Sequence, residues 1–348
     1  MRIMLLNDTG VEPHIGCQAV SDAHARMLGA AGHEVGCRYF LGELRGFAGH
    51  DEVACIDRVL RDENLRAELE NVDAVVVNGE GTLHHGAGTE NFAVLGAAQR
   101  MGKLTAIVNA VFEAHAGWLD VLNALDDFCV RDARSLKCAQ AFGLRCRLVP
   151  DSFLAAEFSD RPIMNLEERI AVTDWHPSRN HDVGAAMNAM LSAADATFYF
   201  PLMHGVHAHL WRHAPATLES ASWVITARHH GVYLASVAQR PFVALPSNTA
   251  KIEGLIEAAG ARIPVCTRAD QIEEAMRFAM ENLDEYRRLA DFLASQLPLT
   301  TFRVLGSSGS APSAAREVER LQAQLASCSW SPQPRYWGLA PHVPGSVP

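Results

Sequence analysis

Across the first 150 residues short apolar runs alternate with longer stretches of helical periodicity. The runs at 3–6, 35–40, 74–77, 104–108, 128–130 and 148–149 are short and largely apolar, the pattern of buried parallel strands. Helical patterns fall between them at 18–31, 53–69, 92–101 and 135–142. The rhythm lapses near 159–167 and restarts with strand-like runs at 170–172, 197–200, 223–226, 242–245 and 265–266, again separated by helices. Strand–helix alternation predicts parallel sheets with right-handed crossovers.

The expected fold is therefore α/β, with two Rossmann-like doubly wound domains facing a cleft, a layout that resembles the GT-B architecture. The partition expected is 1–158 for the first domain, 159–304 for the second, and 305–348 for a linker, helix and tail. A long helix is predicted over 269–297, followed by GSSGS at 306–310, a flexible link by composition. The helical pattern at 313–326 either packs back on the core, the simpler expectation, or contributes a dimer surface. From Ser329 the chain is rich in Pro and Trp and carries no periodic signal.

Composition narrows the functional classes. The 348 residues are 49% hydrophobic and 20% charged, which suits packed domains, and their number suits two. A formal net charge of −10 argues against nucleic-acid binding, which needs a basic face; a local pocket of Arg and His could still hold a small anion. The 8 cysteines show no CxxC pairing, so they read as reduced core thiols. The start MRIMLLNDTG reaches Asp8 too soon for a signal peptide, and no apolar run is long enough to span a bilayer. A cytoplasmic protein is expected.

In open parallel sheets ligands gather at the carboxyl ends of strands, so the residues just after each apolar run carry the chemistry. After the first strand come Asn7, Asp8 and Thr9, then Gly16 at the start of a helix, where backbone N–H groups favour an anion or a sugar hydroxyl. The same stretch also reads as an ordinary loop with Asn and Asp as turn formers. After the third strand, Gly79 and Gly81 flank Glu80, with Thr82, His84 and His85 following. The glycine spacing fits neither a P-loop nor a dinucleotide fingerprint, and the polar load favours substrate contact over a bare turn. Arg131 leaves an apolar strand and needs a carboxylate or an anionic ligand; Asp132 is a candidate partner, with Ser135 capping the next helix. The Pro150-Asp151-Ser152 turn could cap the interdomain segment or touch substrate.

The strongest signal is Arg228-His229-His230-Gly231, the exit turn of the strand at 223–226. An Arg and two His at a helix N-terminus suit a phosphate or carboxylate, and a His there can donate a proton. Ser247, Asn248 and Lys251 form the next polar exit, with Lys251 a second cation. His204, His207, His209 and His213 cluster, but HxxHxH is not a zinc-helix spacing; no metal and no cofactor is assigned.

Four stretches together carry a resemblance: NDTG with IGCQ, VNGEGTLHH, VRDARS, and above all ITARHHGVYLASVAQRPFVALPSNTAKIEGL. The chain resembles the polysaccharide pyruvyl transferase family over about residues 1 to 290. Arg228 and His230 hold the places of the family's S-R-x-H, with Ala227 in place of Ser; an N-terminal Gly-Asn-x-Gly-Asp is absent. The resemblance implies transfer of the enolpyruvyl group of phosphoenolpyruvate onto sugar hydroxyls as a ketal. It implies that Arg228 binds the donor's phosphate or carboxylate and that His230 is the catalytic acid. Glu80 or Asp8 could take the hydroxyl proton. The partners so implied are phosphoenolpyruvate and a sugar or glycan acceptor, with room for peripheral contact with membrane-borne glycan precursors and for a homo-oligomer. A nucleotide-sugar glycosyltransferase of the same architecture is the alternative, and it would need a ribose-binding carboxylate such as Glu253 or Glu257. A non-catalytic sugar-binding module would not need the cation cluster at 228–230.

Overall fold

The computed structural model describes residues 1–192, 195–203, 210–295 and 301–306. The chain forms two compact units. The first contains Met1–Glu12, Cys17–Ala156 and, of the described C-terminal residues, 301–306; the second contains Pro13–Gly16 and Glu157–Ser295. His204, His207 and His209, the helix expected at 313–326 and the Pro/Trp-rich tail lie outside the described residues.

The first unit holds strands β1 (Arg2–Asp8), β2 (Glu34–Phe40), β3 (Ala74–Asn78), β4 (Leu104–Ala110), β5 (Asp127–Val130) and β6 (Arg147–Leu148). They form one parallel sheet of order β2-β1-β3-β4-β5-β6. Its helices are α1 (Ile15–Ala30), α2 (Glu52–Arg61), α3 (Glu63–Glu70), α4 (Thr89–Arg100), α5 (Leu119–Asn123) and α6 (Ala133–Ala141). Successive side chains of a strand point to opposite faces, and both faces of β1 and β3 are dry here. Met4, Leu6, Val75 and Val77 join the core under α2 to α6, while Ile3, Leu5, Ala74 and Val76 join a second core with Leu28, Phe302 and Leu305. This explains the apolar runs of the inner strands, which have no solvent face to mark with polar residues, whereas the edge strand β2 is only half-buried and carries Arg38.

The second unit holds β7 (Ile170–Val172), β8 (Thr197–Tyr199), β9 (Trp223–Thr226) and β10 (Phe242–Ala244), parallel and in the order β10-β9-β7-β8. Its helices are α7 (Val183–Leu191), α8 (Ala214–Leu218), α9 (His229–Val237), α10 (Lys251–Ala258), α11 (Ile272–Glu281) and α12 (Leu283–Ser295). The run expected as a strand at 265–266 makes only a single bridge, Val265 to Ala244. Two expected helices are each broken in two. The 53–69 pattern divides at Asp62, whose carboxylate accepts from Leu65 N and so starts α3. The 269–297 pattern divides at Asn282, where the backbone leaves the helical region.

Both sheets reverse their winding once: between β1 and β3 in the first unit, and between β7 and β9 in the second. Such switch points leave a crevice at the carboxyl ends of the two strands, where α/β proteins place their ligands. Among the described residues no helix is long and apolar enough to cross a membrane.

Candidate active site

At the β1/β3 switch point the first unit builds a buried polar cluster. Asn7, next to the end of β1, has φ 56°, a left-handed conformation that Asn tolerates better than most residues. Its amide donates to Asn78 O at 2.6 Å and to Thr82 Oγ1 at 2.9 Å. Thr9 donates to Glu80 Oε2 at 2.5 Å, and Glu80 N donates to Asn78 Oδ1 at 3.2 Å. Glu80 is buried, as is Asp8, which accepts from Gly10 N and pairs with Arg38 at 2.7 Å. Burial foremost, with the Glu80 charge next, raises the Cys17 thiol well above its ordinary pKa. A Cβ on Gly79 would sit 2.4 Å from the Ala110 Cβ and 2.7 Å from its Cα, so only glycine lets β3 turn here. Gly81 follows with φ 65°. The structure thus brings Asn7, Thr9, Gly79, Glu80, Gly81 and Thr82 together, although the sequence separates Asn7 from Thr82 by 75 positions.

Arg131 is fully buried and its counter-charge is Asp151, which faces its Nη1; Asp132 instead caps α6, accepting from Ser135 N at 2.9 Å and Ser135 Oγ at 2.6 Å. The protein itself supplies the carboxylate that a guanidinium leaving an apolar strand demands.

The second unit carries its cluster at the β7/β9 switch point. Thr226 closes β9 and its hydroxyl meets that of Thr173 at 2.8 Å, tying the two strand ends together. Arg228 is the N-cap of α9, so His229 and His230 lie in the first turn of that helix. Gly231 is forced: a Cβ there would fall 2.0 Å from Thr226 Oγ1. His229 and His230 are both buried, and His229 stacks edge-on toward His230 at 5.5 Å and lies 5.0 Å from Tyr233. Gly16 and His14, which group with this unit, close around His230: the His14 and His230 rings are 5.6 Å apart, and a Cβ on Gly16 would lie 1.9 Å from His230 Nδ1.

Arg228 does not present its whole guanidinium. Nε and Nη2 both donate to Asp174 Oδ2, at 2.8 and 2.5 Å, and Nη2 also donates to Trp175 O at 3.0 Å. Asp174 was not among the sequence candidates. The rule that picked out the other strand exits reaches it, since it stands two residues after β7, but VTDW offers no glycine or cation to draw attention. Ser247, Asn248 and Lys251 lie at the exit of β10 and bond among themselves, Lys251 Nζ to Asn248 Oδ1 at 2.8 Å and Ser247 Oγ to the same oxygen at 3.3 Å. His213 Nδ1 meets Arg161 O at 2.7 Å. Among the described residues no three His, Cys, Asp or Glu side chains are placed to share a metal ion.

Two Rossmann-like doubly wound units in one chain define the GT-B-like class of α/β proteins. The polysaccharide pyruvyl transferase family model matches residues 39–249, more than half of the chain, and the chain belongs to this transferase family of polysaccharide biosynthesis. The matched region includes Glu80, Arg131, Asp174, Arg228 and His230.

Among solved structures the chain is similar to a putative UDP-N-acetylglucosamine 2-epimerase from Listeria monocytogenes, at 15% identity and TM-score 0.57, covering 87% of this chain and 94% of that one. It is similar to S. aureus MnaA in complex with UDP, at 13% identity and TM-score 0.54, covering 94% and 97%. It is also similar to the spinosyn rhamnosyltransferase SpnG, at 12% identity and TM-score 0.52, covering 88% and 100%. At these identities the likeness is one of fold. No curated protein sequence matches the chain.

Proposed function

We propose that this transferase moves the pyruvyl group of phosphoenolpyruvate onto sugar hydroxyls as a ketal. The observation that supports it most is the Arg228-His229-His230 turn at the β7/β9 switch point, in a chain of the pyruvyl transferase family. Three donor-bearing side chains and the start of a nine-residue helix meet there, a setting that favours a compact anion.

Ketal formation needs a proton on the methylene carbon of the enol phosphate and a bond from a sugar hydroxyl to the neighbouring carbon. Phosphate then leaves with the electrons of its C–O bond, and a second hydroxyl closes the ketal with loss of a proton. His230 supplies the first proton, a task suited to imidazole near neutral pH. Arg228 anchors the anion, and cationic donors stabilise the phosphate as charge builds on it. Glu80 is the proposed base for the attacking hydroxyl, held by Thr9.

The nucleotide-sugar reading keeps one observation in its favour. Glu253 Oε2 in α10 is buried without a hydrogen-bond partner among the described residues, as a carboxylate awaiting a ribose would be, whereas Glu257 is exposed. A thermal-shift comparison of phosphoenolpyruvate with UDP- and GDP-sugars separates the two, because a ligand that binds only the folded state raises its melting temperature. The expected result is a shift with phosphoenolpyruvate alone, lost in Arg228→Ala. A shift only with a nucleotide sugar would overturn the proposal.

A further inference from the structure

We infer that Asp174 is a positioning residue of the donor site, fixing the Arg228 guanidinium so that an anion is met by Nη1 and not by the Nε/Nη2 edge. This rests on the reading of Arg228 as the donor anchor. An arginine usually grips a carboxylate or phosphate through two parallel N–H groups. Here that paired edge is already used: Nε and Nη2 converge on Asp174 Oδ2, and the remaining Nη2 direction is taken by Trp175 O. Nη1 has no hydrogen-bond partner among the described residues.

Asp174 is itself held. Its other oxygen, Oδ1, accepts from Leu202 N at 2.6 Å, so the carboxylate cannot turn away to follow a ligand. The register Val172↔Ile225 places the exits of β7 and β9 side by side, and the Thr173–Thr226 hydroxyl pair pins them at 2.8 Å. Arg228 N donates to the same Thr226 oxygen at 3.1 Å. Backbone and side chain of Arg228 are therefore fixed from one strand pair. The side chains of Arg228 and Asp174 are only 13% and 11% exposed, so water screens the pair weakly.

Asp174 acts on the ligand in two opposing ways. Its negative charge repels an anion, while its hold on Arg228 removes the rotamer freedom that a long cationic side chain would otherwise lose on binding. The geometry, two hydrogen bonds to one oxygen with the other oxygen anchored, points to the second effect as the larger. A further consequence is that the ligand anion completes its coordination from other donors, because Nη1 offers no fork.

The test is phosphoenolpyruvate affinity by calorimetry for wild type, Asp174→Asn and Asp174→Ala, read with the side-chain Nε–H signal of Arg228 by NMR. Both variants are expected to bind about tenfold more weakly, with the Arg228 Nε–H exchanging faster with water. Tighter or unchanged binding by Asp174→Asn would overturn the inference. Should the variants fail to fold, the wild-type protein alone decides: a protected Arg228 Nε–H supports the inference and a fast-exchanging one overturns it. If wild type binds no phosphoenolpyruvate while the Nε–H is protected, the donor assignment fails and the Asp174–Arg228 fixation stands, so the two failures are distinguishable.

Discussion

A methyl group added to Gly16 would lie 1.9 Å from His230 Nδ1 and 2.2 Å from its Cγ, closer than any real contact, so the imidazole would have to move. The sequence suggested Gly16 for backbone approach to a ligand; the structure shows that its missing side chain also makes room for His230. Gly16→Ala is expected to lower pyruvyl transfer by about 100-fold, the usual consequence of displacing a reacting group by an ångström. Its melting temperature should fall far less than its rate. Steady-state kinetics beside a melting curve check this, and full turnover in Gly16→Ala would mean that the position of His230 does not limit the reaction. Glu80→Gln separates the proposed roles in the same assay: it should depress kcat while leaving phosphoenolpyruvate binding intact.

At the scale of elements, most strands were legible because burial on both faces writes itself into sequence as apolar runs. Helix boundaries were less so. Periodicity alone joins α2 to α3, whereas the Asp62 cap divides them, and a capping carboxylate looks like any polar residue until its N–H partner is known. The ion pair of Arg131 belongs to the same class of hidden partner. Arg131 ends the β5 exit and Asp151 the β6 exit, 20 positions apart, and sheet pairing sets them together. Removing one member leaves a buried charge alone, so Arg131→Met is expected to cost about 3–5 kcal/mol of stability. The double replacement Arg131→Met with Asp151→Asn should recover much of that loss. Denaturant unfolding of the single and double variants checks the asymmetry; equal losses would show that the charge itself is not the issue.

For the molecule as a whole, pH dependence should be set in part by His24 on α1. It is buried, its Nε2 meets Ser152 Oγ at 2.9 Å, and its pKa falls from 6.5 to about 4. Burial is the main cause, opposed by the negative charges of Asp8, Glu80 and Asp151. Between pH 6.5 and 4 the unfolded chain therefore binds a proton that the folded chain refuses. Stability from this group is complete above pH 6.5 and declines as pH falls, by up to about 3 kcal/mol. His24→Gln should narrow the gap between unfolding free energies measured at pH 7.5 and pH 5. An equal gap in variant and wild type would remove His24 from the account.

The sequence by itself determined the fold class, the positions of most strands, the polar strand exits and the family, because apolar periodicity and short motifs are local properties of a chain. It also singled out Arg228, His230 and Glu80, whose types stand out beside apolar strands. Only the tertiary structure decided which groups face one another: Asp174 on Arg228 across 54 positions, Thr9 on Glu80 across 71, and Gly16 against His230. The reason is geometric. Parallel strands bring their exits together whatever chain length separates them, so neighbours at a switch point leave no mark of their distance in the sequence.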